Sequence, residues 1–121
     1  MLKKITFLFC LLGLACCDFG DSNIRFEISN QTGQEIQVEI KDKIGTTTYK
    51  IGENKIVDHF IILEVSEETP EDEYFEELEM EEVFVTYEDA TTNSNNFADK
   101  DFWEFTTTPV GDWGIYRLTL E

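Results

Sequence analysis

Seven short strands at near-regular spacing, with at most one short helix near residues 70–80, predict an all-β fold: a two-layer antiparallel β-sandwich, immunoglobulin-like in architecture. A small β-barrel is the alternative. Three observations carry the prediction. Apolar and polar residues alternate with period two in several runs, as in Ile24, Phe26, Ile28 and again in Ile36, Val38, Ile40. Clusters of Asn, Gly and Asp separate the runs. Ten Phe, four Tyr and two Trp provide the bulk for a core in a chain of 121 residues.

The first strand opens near Ile24, where Arg25, Glu27 and Ser29 take the solvent parity. Asn30 to Gly33 is turn chemistry, and the second strand follows with Gln37, Glu39 and Lys41 facing out, so the two runs form a hairpin. Asn30-Gln31-Thr32 also satisfies the rule for a glycosylation acceptor, but its place between two strands makes it a turn. A turn over residues 42–45 leads to a Thr- and Tyr-bearing strand ending at Ile51, and residues 52–54 reverse the chain again. Ile56 to Val65 is apolar on both parities, which places it near the middle of a sheet with a bulge or a covered second face.

Residues 67–82 change character, with ten carboxylates in sixteen residues and no cation. Thr69-Pro70-Glu71-Asp72 has the form of a helix start, with Thr69 as N-cap and Pro70 at the first helical position. Like charges four apart, such as Glu73 and Glu77, limit that helix to one or two turns. Val83 to Glu88 returns to strand composition. Residues 89–100 form a twelve-residue polar loop, long for a compact domain and therefore the place expected to be mobile or to bind. Residues 101–107 and 113–120 make the closing hairpin around Pro109 and Gly111.

Ahead of this domain stand Lys3 and Lys4, then an apolar run of about eleven residues from Ile5 to Ala15, then Cys16 and Cys17. The run is too short to span a hydrocarbon core, which needs roughly twenty helical residues, so it reads as a removable leader. With Ala15 before the cysteine, the segment resembles the signal peptide of a bacterial lipoprotein. That resemblance implies a leader over 1–15, cleavage before Cys16, a diacylglycerol thioether and a further acyl chain, such as palmitate, on that residue. A lipidated tether over 16–22 and the β-sandwich domain over 23–121 would follow. Gly13 stands where the family's motif prefers Leu, and counting from Cys17 restores Leu14, so Cys17 is the alternative lipid acceptor. Adjacent cysteines rarely pair with each other, so no disulfide framework is available to the domain. Acyl chains contribute about 0.8 kcal/mol per buried methylene, enough with two or three chains for stable anchoring to a lipid membrane.

The order of features, with an Asn30-to-Gly33 hairpin, an acidic linker and a terminal aromatic hairpin behind a lipidation signal, is similar to that of small Bacteroidota lipoproteins. This resemblance implies a location in the bacterial cell envelope, on the periplasmic side or the cell surface. It carries no functional residue across.

Charge and composition narrow the chemistry. The net charge is −17 and becomes more negative by two when Lys3 and Lys4 leave with the leader. Nucleic acid, which needs clustered cations to displace its counterions, is therefore not an expected partner. His59 is the single histidine, expected at the core or an edge and bonded to backbone. The mature serines, at 22, 29, 66 and 94, lie in no nucleophile motif, so no enzymatic role is expected and no catalytic residue is assigned. No cofactor is expected beyond the lipid. Calcium is a weak option through Asp89, Asp99 and Asp101, whose oxygen atoms share one loop. The expected function is a non-catalytic, membrane-anchored interaction or structural module. A basic protein, such as a lysozyme-type hydrolase, is the alternative partner. It would be gripped by Glu71, Glu73, Glu76 and Glu77, with Tyr74 and Phe75 as aromatic anchors.

Overall fold

A computed structural model describes residues 22–65, 70–108 and 113–121. Residues 1–21, with the expected leader, Cys16 and Cys17, as well as Thr69 and the turn expected around Pro109 and Gly111, lie outside the described residues. The strands are β1 (Ser22–Asn30), β2 (Ile36–Asp42), β3 (Gly45–Ile51), β4 (Ile56–Val65), β5 (Glu82–Thr86), β6 (Trp103–Thr107) and β7 (Trp113–Leu120). Two 3₁₀ turns, Phe75–Leu78 and Lys100–Phe102, complete the regular structure.

The strands form two sheets, ordered β4-β1-β7-β6 and β3-β2-β5. They remain open, so the fold is an all-β sandwich and not the barrel considered above. The division into four and three strands follows the immunoglobulin-like pattern, while the connectivity is the chain's own. One pairing departs from the antiparallel expectation: β1 and β7 run parallel, Asn23 beside Trp113 through to Asn30 beside Leu120. The first and last strands of the domain thus lie side by side in the middle of the larger sheet.

The period-two pattern sets the core. Ile24, Phe26 and Ile28 of β1 face Val38 and Ile40 of β2 and Val83 and Val85 of β5, all fully buried. Each such aliphatic side chain contributes roughly 2 kcal/mol by leaving water. Tyr116 of β7 stacks on Phe26 with ring centroids 4.9 Å apart, and Phe75 and Trp103 pack edge-on around the pair. Gly114 of β7 has no side chain because a Cβ there would sit 2.9 Å from the ring of Phe105.

Strand β4 departs from its expected place. It lies at the edge of the larger sheet and not in the middle. Its apolar residues occupy both parities because the β1–β4 register slips twice, between Phe26 and Glu27 and between Ser22 and Ile24. At the first slip Glu27 faces Asp58 and Phe26 faces Phe60, leaving His59 as an extra residue in the bulge. The short helix expected near residues 70–80 is present as one 3₁₀ turn, but its start is corrected: among the described residues of this stretch the helical turn spans Phe75–Leu78, entered from Tyr74 without a side-chain cap and closed by Glu79 at φ 50°. Crowded carboxylates oppose anything longer.

The polar loop after β5 is hydrogen-bonded back onto that strand. Asn93 and Phe97 donate backbone N–H bonds to Val85 and Val83, Asn96 caps the N–H of Val83, and Thr92 bridges Thr86. Phe97 is buried and its carbonyl accepts from the Trp103 indole at 2.7 Å. The loop therefore satisfies the free edge of β5, where an open strand would otherwise present unpaired backbone.

Candidate functional site

Residues 70–82 of the acidic stretch form a strap pinned across the sandwich. Phe75 is only 5% exposed, with its ring among Phe26, Trp103 and Tyr116, and Leu78 is fully buried. Two apolar residues three positions apart in a tight turn suffice to hold it. The Leu78 carbonyl accepts from the N–H of Lys43, and Glu81 donates to Lys41, which joins the strap to the smaller sheet.

Polar bonds add to the packing of Phe75 against the larger sheet. The Tyr116 hydroxyl donates to Asp72 at 2.8 Å and accepts from the Tyr74 N–H at 3.0 Å. Lys100 lies 2.9 Å from the same Asp72 oxygen. Partial burial works to raise the pKa of Asp72, but the hydrogen bonds from Lys100 and Tyr116 outweigh it, and the net shift is downward. Burial first, and then its bond to Asp72, push the Tyr116 phenol upward, so it remains a donor.

This geometry sorts the residues expected to bind a partner. Glu71, Glu73, Glu76 and Glu77 are exposed, Tyr74 is half-buried, and Phe75 points into the core. The expectation that Phe75 serves as a surface anchor is corrected: apolar packing inside the sandwich takes its ring. The strap presents carboxylates outward and rings inward.

A second polar centre joins the layers. His59, on the β4 bulge, places Nε2 2.6 Å from Asp42 Oδ2 and Nδ1 2.8 Å from the Tyr49 hydroxyl. Its partners sit on β2 and β3 of the opposite sheet. The His59 and Asp42 side chains are 2% and 0% exposed. An ionised carboxylate only accepts, so Nε2 carries the proton and, in the neutral ring, Nδ1 accepts from Tyr49. The other Asp42 oxygen accepts from the Ile44 N–H at 2.9 Å. Burial, and then the charge of Asp42, raise the pKa of Tyr49 and keep its hydroxyl protonated. The order Asp-His-Tyr has the form of a proton relay, but its imidazole is closed to solvent, and what it does is bridge the layers. The expectation of a backbone-bonded histidine is corrected, since both partners are side chains. One signal points to it: Asp42 continues the core parity of Ile36, Val38 and Ile40, and a charge there needs a buried partner.

Asn30 is a third centre, at the far end of β1. Its Nδ2 donates to the carbonyls of Gln34, Ile51 and Gly52 at 2.7, 2.9 and 3.0 Å, and its Oδ1 accepts from the Thr32 N–H and hydroxyl. The side chain closes its own turn and holds the end of β3, so the Asn-x-Thr triplet is structural.

Two of the three carboxylates weighed for calcium each turn one oxygen to a residue two positions on. Asp89 accepts from the Thr91 N–H and hydroxyl, and Asp99 accepts from the Asp101 N–H. The Thr91 bonds lower the pKa of Asp89. Among the described residues no three His, Cys, Asp or Glu side chains are grouped to hold a metal ion. A shallow groove of about 240 Å³ lies at the end of the smaller sheet, lined by Gln37, Lys50, Tyr87 and Glu88 among others. Charges of both signs line it, so it selects no ligand charge.

Comparisons with protein-family models, with curated proteins and with solved structures give no match to this chain. No helix among the described residues is long and apolar enough to cross a membrane.

Proposed function

We propose that the protein is a non-catalytic interaction module of the bacterial cell envelope, held to a membrane by lipid on Cys16, with Cys17 as the alternative acceptor. The observation that carries this reading is the leader: paired lysines, an apolar run too short to span, and Ala15 before a cysteine that, once Cys10 leaves with the leader, keeps only its neighbour Cys17 as a second thiol. The sandwich supports it by supplying a compact domain with both layers locked by buried polar centres. The test is metabolic labelling with radioactive palmitate. Label should enter the wild-type chain and be lost when Cys16 and Cys17 are both replaced by serine; label persisting in that double variant would overturn the assignment.

A second reading is favoured by one arrangement, the outward carboxylates of the strap. With Glu71, Glu73, Glu76 and Glu77 exposed on a chain of net charge −17, a basic protein is the partner whose association this surface would accelerate. Capture of a lysozyme-type protein should strengthen as salt is lowered and fall when the four glutamates become glutamine. Capture indifferent to both would remove this reading.

A further inference from the structure

From the way the tether enters the sandwich, we infer that one end of the larger sheet rests on the lipid surface and that Ile61, Leu63, Arg25 and Trp113 form the contact. This deepens the proposed function and rests on lipid at Cys16.

Chain length places that end of the sheet. Six residue steps separate Cys16 from Ser22, the first residue of β1, so the start of that strand cannot lie more than about 20 Å from the acylated residue. Strand β1 then runs for nine residues, which carries Asn30 and its turn about 25 Å further along the sheet. The tethered end is formed by Ser22, the last residues of β4 and the first of β7, since Ser22 pairs with Val65 and Asn23 with Trp113.

The outer face at this end exposes two large aliphatic side chains, Ile61 and Leu63, where an exposed face would ordinarily be polar. Ile61, Arg25 and Ile115 form one row across β4, β1 and β7. Leu63 and Trp113 form the next, flanking Asn23, whose Oδ1 accepts from the Glu64 N–H at 3.1 Å. Leu63 is 63% exposed and Ile61 41%. The Arg25 guanidinium lies 5.2 Å over the Trp113 ring. Leu63 stands out because β4 bulges there, with Leu63 and Glu64 opposite Asn23 alone, and Glu64 is held at φ 56°. A non-glycine residue in that region persists only where the surroundings impose it.

Trp and Arg beside exposed aliphatics are the side chains that suit the boundary between headgroups and acyl chains. The carboxylates of Glu64 and Asp58 border the patch, so the surface it fits is zwitterionic, not anionic. Because the anchor already holds the domain at the bilayer, a few apolar side chains are enough to orient it.

The test uses the full acylated chain with Cys17→Ser, reconstituted in phosphatidylcholine vesicles and carrying a nitroxide at Leu63→Cys or, at the opposite end, at Glu53→Cys. Collisions with oxygen should dominate over collisions with an aqueous nickel chelate at position 63, and the reverse should hold at position 53. Vesicle-bound protein whose two labels meet the nickel chelate equally would overturn the docking while leaving the anchor intact. Spin–spin broadening at position 63 that grows with protein density would overturn it in favour of pairing between two copies through β4. Protein that fails to float with the vesicles would overturn the anchor, and the docking with it.

Discussion

Asn30 and His59 both tie one layer of the sandwich to the other, and they do it in opposite ways. Asn30 speaks to backbone: its amide holds the carbonyls of Ile51 and Gly52 while its oxygen closes its own turn. His59 speaks to side chains, standing between a buried carboxylate and a phenol. A residue bonded to backbone cannot be compensated by changing its partners, because carbonyls are always present. A residue bonded to side chains can be, because the whole set can be exchanged for apolar groups. The difference separates a fixed joint from a replaceable one.

The largest expected effect follows at the fixed joint. Asn30→Ala strands buried carbonyls and the Thr32 donors together and should destabilise by about 4 kcal/mol in urea unfolding, with only a minor part recovered by Asn30→Asp, which keeps the acceptor for Thr32 but supplies no donors to the carbonyls. His59→Leu leaves Asp42 as an unpaired buried charge and should cost about 3 kcal/mol. The triple replacement Asp42→Leu, Tyr49→Phe, His59→Leu should recover most of that loss, since exchanging a buried polar set for packed apolar groups is often neutral. Failure of the triple variant to recover, or recovery of most of the loss at Asn30, would erase the distinction.

Smaller effects come from the strap, whose attachments are partly exposed. The folded-state pKa of Asp72 lies below its ordinary 3.8, so its bonds stabilise the fold above that pH, and the contribution is lost as pH falls through the depressed folded value. The stability difference between wild type and Asp72→Asn, below about 1 kcal/mol at neutral pH because the carboxylate is partly solvated, should therefore shrink on acidification in thermal melts at pH 7 and pH 2.5. Smallest of all, Glu76→Gln with Glu77→Gln should change stability by no more than about 0.5 kcal/mol, in the stabilising direction, since it only relieves repulsion among exposed charges.

What could be read from the chain follows the same division. Strands with one buried face, β1 and β2, announce themselves through Ile24, Phe26, Ile28 and Ile36, Val38, Ile40, because alternation is a local consequence of the pleat. The edge position of β4 is not local: two bulges scrambled its parity, and a bulge is decided by pairing with β1. Phe75 misled for a related reason. Carboxylates surround it in sequence, yet the space between Phe26, Trp103 and Tyr116 is created by strands remote from it in the chain. The exposed carboxylates of the strap were legible, since nothing in a core can take them. The Asp42–His59–Tyr49 centre was half legible, through a charge at a core parity whose partner the sequence does not name.

How the folded domain is held in place is tested most directly by intact-mass measurement of the mature protein. Lipid anchoring at Cys16 predicts a chain beginning at that residue and heavier than its amino acids by a diacylglycerol and a further acyl group. A mature chain of unmodified mass, with a free thiol at its first residue, would contradict it.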